Sequence, residues 1–250
     1  LKQNQAVSIQ ASRGQDGGPA RAGSHLLFDR ISARYDLLNR LLSFRQDIRW
    51  RKHLSRVIEQ APHGTVLDLA CGTCDSILES FSRIHDIQWG LGIDMAEKML
   101  ALGKRKIVGR GLDSKISLTR GDGMNIPVLD DSFDFAIISF GIRNMVDPDR
   151  SLSELRRVLK PGGSLAVLEF SLPSNRFFRY IYLLYFRHLL PLIGGAISGD
   201  RDAYRYLNKT VEAFYHGPDF CRRVKMAGFR NIVTHTLTAG IATIYCGDKE

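Results

Sequence analysis

The chain of 250 residues is 44% hydrophobic, which suits one large α/β domain with a sizeable core. Its four cysteines, two adjacent (Cys71, Cys74) and two distant (Cys221, Cys246), exclude a disulfide framework in a chain this long and point to a reduced, cytoplasmic setting. The net charge of +9 is scattered and comes with no nucleic-acid-binding motif, which argues against nucleic acid and leaves an anionic membrane surface or simple solubility.

Residues 1–24 are rich in Gln, Ser, Gly and Arg with almost no apolar spacing, and read as a disordered tail. They lack the apolar run of a secretory signal, and Leu1 in place of Met leaves a processed or truncated start open. Residues 25–60 turn helical: Leu27, Phe28, Ile31, Tyr35, Leu38 and Leu42 recur at three- and four-residue steps. A second helix follows Ser43 and carries Trp50, Leu54, Val57 and Ile58 until Pro62, His63 and Gly64 stop it.

Beyond residue 64 the pattern alternates. Strands are expected at 65–70, 87–94, 115–122, 133–140 and 163–171, with helices between them, the last at 149–160. Strands spaced by helices of this length predict right-handed βαβ units and a parallel sheet. Pro161-Gly162-Gly163 is expected to break the last helix from its strand. Residues 176–198 are the most apolar stretch, yet Arg179, Arg187 and His188 interrupt it and Pro191 is expected to break it. A membrane span needs about twenty apolar residues with few charges, so the stretch reads as a core or homodimer helix, or as an apolar lid over a substrate. A helix closed by Gly228 then leads into two strands joined by a turn near Ala239-Gly240.

"VLDLACGTCDS" (66–76) holds a C-x-x-C that admits redox, metal and cofactor readings. A redox motif lowers its first thiol's pKa at a helix N-terminus, but this chain repeats too many strand-helix units for a thioredoxin-like fold. Zinc needs two further ligands, and Cys221, Cys246, His63 and His85 offer no second close pair. The cofactor reading uses more residues. Asp68, Ala70, Gly72 and Cys74 fall on the D-x-G-x-G-x-G spacing of an S-adenosylmethionine loop, with two glycines replaced. Small residues there let backbone approach the ligand, and the helix N-terminus behind favours its carboxylate. Asp94 ends the second strand, where an acidic side chain accepts ribose hydroxyls. Asp122, in "GDGMNIP", stands where it can bond an adenine amino group.

"YDLLNRLLSFRQDIRW" (35–50), "SFGIRNMVDPDRSLSELRRVLKPGG" (139–163), "RVLKPGGSLAVLEFS" (157–171) and "DAYRYLNKT" (202–210) resemble the signatures of the ubiquinone/menaquinone biosynthesis C-methyltransferases. The resemblance covers 25–250 as a single domain. It implies a Rossmann-like class I methyltransferase fold: α/β, a mostly parallel seven-stranded sheet, an antiparallel C-terminal hairpin and N-terminal helices, with 172–210 as a substrate-side lid insertion. It implies S-adenosylmethionine as cofactor, held by the loop residues Asp68, Gly72 and Thr73, by Asp94 with Met95, by Asp122 with Gly123, and by Ser139. The implied acceptor is a polyprenyl quinol, methylated on a ring carbon. Arg176, Arg179 and Arg187 in the apolar segment 176–198 are placed to rest on anionic headgroups, so peripheral contact with the inner face of the membrane is expected.

In that fold class Arg143 follows the fourth strand and faces the methyl-donor pocket, so it is expected to steer or stabilise the quinolate, with Asn144, Tyr204 or Tyr35 assisting. Two positions depart from the family pattern: Asp47 stands where His is usual, and Cys74 where Gly is usual. A side chain at Cys74 is expected to crowd the cofactor loop unless the thiol turns away. Two alternatives follow: an altered homologue without catalysis, and a methyltransferase acting on another small aromatic or lipid acceptor.

Overall fold

The computed structural model describes residues 23–59, 64–198 and 200–250. Apart from Gly23 and Ser24, the expected tail lies outside the described residues, as do Pro62 and His63 of the expected helix stop. Two helices come first, α1 (Ser24–Leu42) and α2 (Gln46–Ile58). Between them Phe44 and Arg45 take positive φ, and Ser43 Oγ accepts from Asp47 N–H while donating to Asp47 Oδ1 at 2.8 Å. The Ser43 hydroxyl thus serves a first-turn N–H of α2 that the N-cap residue Arg45 does not serve with its side chain.

The alternating region follows as β1 (Thr65–Leu69), α3 (Asp75–Arg83), β2 (Trp89–Asp94), α4 (Glu97–Gly109), β3 (Ile116–Arg120), β4 (Phe133–Ser139), α5 (Pro148–Val158) and β5 (Leu159–Phe170). The chain then forms α6 (Arg176–Leu184), a π turn (Tyr185–Leu189), α7 (Leu190–Ser198) and α8 (Arg201–Ala213). It closes with α9 (Pro218–Met226), β6 (Arg230–Leu237) and β7 (Ala242–Asp248). The seven strands order as β3-β2-β1-β4-β5-β7-β6, parallel except for β7, which runs antiparallel to both β5 and β6. This is the expected Rossmann-like sheet with its C-terminal hairpin.

Alternation explains the layers. Val66, Phe135, Ile137 and Leu168 pack with α2 and α3 on one face, while Leu67, Leu69, Ile138 and Val167 pack with α5 and α9 on the other. Strands buried on both faces read as continuous apolar runs, as these do. Each such buried Leu or Ile contributes about 1.5–3 kcal/mol, so layer packing rather than strand propensity holds the sheet.

Two expectations about breaks change. Pro161-Gly162-Gly163 does not separate helix from strand; it bulges inside β5, between the pairings Phe133↔Leu159 and Phe135↔Ser164. Gly162 takes φ 77° and donates its N–H to the Lys249 carbonyl at 2.7 Å. Pro191 does not end its helix either. The backbone widens into the π turn just before it, and in an i→i+5 pattern the Phe186 carbonyl would look to the N–H that Pro191 lacks. Asn208 Nδ2 of α8 donates to that carbonyl instead, at 2.5 Å.

By length and mean hydropathy (1.3) the run Arg176–Ile197 would pass for a membrane span. Here its inward side chains, Tyr182, Phe186 and Leu190, pack with Leu27, Ile31 and Leu38 of α1 and with Tyr204 of α8. The N-terminal helix and the insertion after β5 thus form a third apolar layer. It meets Phe170 and Ile241, so it lies against the C-terminal ends of the strands.

Candidate functional site

Two cavities open at those strand ends. The smaller, about 160 Å³, is lined by Ala70 and Gly72 after β1, by Asp94 and Met95 at the end of β2, and by Asp122 and Gly123 after β3. Ser139, Asn144 and residues of α1 complete it. The larger, about 360 Å³, is mostly apolar and lies between α1, α2, α6, α8 and the ends of β4 and β5. Phe28, Tyr35 and Phe140 line both, so the two cavities meet at these rings.

The loop after β1 is shaped from below and from the side. Ala70, Gly72 and Cys74 all take positive φ, which favours Gly and strains the other two. Asp94 holds the loop: its Oδ2 accepts from Gly72 N–H and its Oδ1 from Ala96 N–H, each at 2.8 Å. Burial pushes its carboxyl up, against those two bonds. Gly123 packs against Met145, where a Cβ would lie 2.8 Å from Met145 Cε. Gly141 likewise leaves room for Ala70, whose Cβ would be 2.5 Å from an added one. Ser139 Oγ accepts from Ser76 Oγ at 2.9 Å, and Asp122 Oδ1 from Met124 N–H at 2.9 Å.

Asp68 and Thr73 are near this cavity but not on its wall. Asp68 is 1% exposed beneath the loop, where Oδ2 accepts from Ile77 N–H at 3.1 Å and Oδ1 has no partner. Burial lifts its pKa to about 8, so it is held largely protonated near neutral pH. Thr73 Oγ1 donates to Asp36 Oδ1 at 2.7 Å and accepts from Lys106 Nζ at 2.8 Å. Lys106 also reaches Asp36 Oδ2 and Asp75 Oδ1, both at 2.6 Å. The cluster ties α1, the loop, α3 and α4 together, and it turns the Thr73 hydroxyl away from the cavity.

The crowding expected from Cys74 does not arise. Its thiol points at α4, into the space that Gly103 leaves by having no side chain. Cys71 Sγ lies 4.0 Å from Cys74 Sγ, and both are free thiols. The Cys74 hydrogen bond and burial push Cys71 well above the usual thiol range. A redox C-x-x-C needs the opposite shift.

On the larger cavity, Arg143 is 4% exposed, in a short 3₁₀ turn (Ile142–Asn144) after β4. Its Nη1 donates to the Phe140 carbonyl at 2.5 Å and to Glu169 Oε1 at 2.8 Å, and its guanidinium lies 5.1 Å from the Phe170 ring centroid. Burial raises the Glu169 carboxyl despite that cation. Tyr35 stands at the junction of the cavities, and burial raises its phenol, opposed by Asn39, Arg51 and Arg143. Tyr204 lines the larger cavity with its ring packed on Gly194, and Asn144 faces the smaller one. Of the four residues expected on the acceptor side, three therefore line the large cavity and Asn144 lines its neighbour.

Sequence reasoning missed Arg51, and it placed Tyr182 in the apolar lid segment without a polar role. Tyr182 line the large cavity with a buried hydroxyl that has no partner. Arg51, directly after the "YDLLNRLLSFRQDIRW" stretch, also lines it. The Trp50–Phe140 contact beside it (5.8 Å between centroids) needs tertiary structure to be seen.

A SAM-dependent methyltransferase from Thermotoga maritima superposes with a TM-score of 0.64 at 20% identity, covering 90% of this chain and 99% of that one. The [4+2]-cyclase SpnF gives 0.65 at 16% identity over 93% and 97%. At such identities the likeness speaks for the fold alone. The sequence relatives are nearer. The ubiquinone/menaquinone biosynthesis C-methyltransferase UbiE of Geotalea daltonii is 43% identical over 223 residues, 89% of this chain and 94% of that protein. The demethylmenaquinone methyltransferase of Thermus thermophilus is 42% identical over 224 residues, 89% of this chain and all of its own length (100%). Residues 20–249 match the profile of the ubiE/COQ5 methyltransferase family, and the chain belongs to that family.

Proposed function

We propose that the protein transfers a methyl group from S-adenosylmethionine to a ring carbon of a polyprenyl quinol. The naphthoquinol of menaquinone synthesis and the benzoquinol of ubiquinone synthesis are both acceptors of the right kind. The observation that carries this reading is the meeting of two unlike cavities at Tyr35, Phe28 and Phe140. One is small, carboxylate-lined and set at the strand ends; the other is larger, apolar and equipped with a buried guanidinium.

The residues present fit the cofactor. The strand-end carboxylates Asp94 and Asp122 on the cavity wall offer acceptors to ribose hydroxyls and to an adenine amino group, and Gly123 beside Asp122 packs directly on Met145. Gly72, Met95 and Ser139 line the same space, while Asp68 and Thr73 support the loop from behind. When bound, the cofactor supplies an electrophilic methyl on sulfur.

The chain's part is placement and charge. Carbon methylation requires the ring carbon in line with that methyl, about 3–3.5 Å away. Phe28 and Phe140 shape the passage between the cavities. Arg143 stabilises negative charge on a quinol oxygen once its proton has left to water, which makes the neighbouring ring carbon the better nucleophile. After the methyl is bonded, that carbon's own proton passes through water to the oxygen and restores the quinol. Tyr35 keeps its proton near neutral pH and offers it as a hydrogen bond to the acceptor, with Tyr204 and Asn144 assisting.

Segment 172–210 covers the acceptor side. Its inner face builds the cavity, and its outer face leaves Phe177, Phe178, Tyr180, Ile181 and Leu184 exposed. That outer face rests peripherally on an anionic membrane surface, where the polyprenyl tail enters; a homodimer through the same face is the competing arrangement. Anaerobic incubation with S-adenosylmethionine and each quinol in turn tests the function. A product heavier by one methyl group supports it, and no product from either acceptor overturns it.

A further inference from the structure

Two arginines stand on the large cavity, and they are built alike. Arg143 uses Nη1 for a backbone carbonyl, Phe140 O, and for the Glu169 carboxylate. Arg51 uses Nη1 for the Asp47 carbonyl at 3.2 Å and for Asp47 Oδ2 at 3.1 Å. In both, Nε is buried without a partner. Each guanidinium also lies beside one ring of a contacting pair: Arg51 is 5.5 Å from the Phe140 centroid, Arg143 is 5.1 Å from that of Phe170, and the two rings are 4.6 Å apart.

These bonds hold each guanidinium by one corner and leave its other edge unused. Arg51 is 11% exposed and Asp47 7%, so the pair is largely withdrawn from bulk water. The two Nε atoms are enclosed by protein and out of a ligand's reach. The donor left to the cavity is the Nη2 corner of each guanidinium, which makes no hydrogen bond among the described residues. Arg51 therefore has the same credentials as Arg143, on the other ring of the same aromatic platform. Asp47, capped by Ser43, fixes its orientation.

We propose that Arg51 is a second acceptor-holding residue, donating to one oxygen of a dihydroxy-aromatic ring while Arg143 serves the other. The inference rests on the quinol reading and deepens it: the site selects acceptors carrying two ring oxygens over those carrying one.

The test is binding, without methyl transfer. Trp50 lines the cavity, so its fluorescence reports occupancy. The intact protein is titrated anaerobically with 1,4-dihydroxynaphthalene and with 1-naphthol. The diol is expected to bind about tenfold tighter, the size of one charge-assisted hydrogen bond. Arg51→Met should remove that advantage while leaving 1-naphthol and S-adenosylhomocysteine binding unchanged, and Arg51→Lys should restore part of it. Loss of both aromatic ligands alike would mark Arg51 as structural, and an unchanged diol preference in Arg51→Met would also overturn the proposal. Should Arg51→Met fail to fold, Arg51→Lys decides, since it keeps the charge and loses the guanidinium fork: diol affinity must fall and 1-naphthol affinity hold. If the unaltered protein binds neither aromatic ligand, the quinol reading fails, and this inference with it.

Discussion

Arg143 Nη1 lies 2.8 Å from Glu169 Oε1, with the two side chains 5% and 1% exposed. A pair so deeply buried stabilises little against an apolar pair of the same volume, but removing one partner strands the other. Arg143→Met alone is expected to lower stability by about 3–5 kcal/mol. Adding Glu169→Leu should recover most of that loss while activity stays absent. Urea denaturation of the two variants measures it, and equal stability of single and double variants would mean that the pair is not coupled.

Asp68 makes stability depend on pH. Its ordinary value of 3.8 is raised to about 8 by burial, so the folded protein keeps a proton that the unfolded chain has lost. The stabilisation this gives is whole below about 3.8 and is lost as pH rises through about 8. Relative to Asp68→Asn, the unaltered protein should therefore lose stability progressively across that window and change no further above it. Melting temperatures of both proteins across the pH range provide the comparison, and parallel curves would contradict a raised Asp68.

Cys74 and Gly103 are expected to be coupled. A Cβ at Gly103 would collide with the Cys74 sulfur, so Gly103→Ala should cost about 1–3 kcal/mol, as overpacked cores do. Cys74→Gly should relieve it in the double variant and, alone, leave cofactor affinity unchanged. Chemical denaturation and calorimetry with S-adenosylhomocysteine check the two halves.

The exposed outer face of α6 predicts how the protein meets a bilayer. Binding to vesicles should rise with anionic lipid content and fall with added salt, because exposed charges are screened. Replacing Phe178 and Leu184 by Ser should weaken vesicle binding and raise KM for long-tailed quinols more than for tail-less ones. Sedimentation with vesicles measures the first effect. A change of oligomeric state with vesicle binding untouched would favour the homodimer.

Much of the fold was legible because its signals are local. Strand alternation, the helix spacing and the turn at Ala239-Gly240 each depend on neighbours in sequence. The strand-end positions Asp94 and Asp122 were legible for the same reason, since parallel strands bring their C-terminal ends to one side; Ser139 came from the family resemblance. Other features depend on partners far away in the chain. Thr73 faces Asp36 and Lys106 only because α1 folds over the loop. Pro191 sits inside a helical run, and the Phe186 carbonyl before it is met by Asn208 of α8, far away in sequence. The place for the Cys74 thiol is a missing side chain on another helix, and nothing in residues 66–76 announces it.

The central claim is carbon methylation of a quinol, and the attachment point of the methyl group tests it most directly. The protein would be incubated anaerobically with methyl-¹³C-labelled S-adenosylmethionine and a demethylated polyprenyl quinol, and the product analysed by NMR. The account predicts a labelled methyl on a ring carbon with both hydroxyls intact. A label on oxygen, or none transferred while S-adenosylmethionine binds, would contradict it.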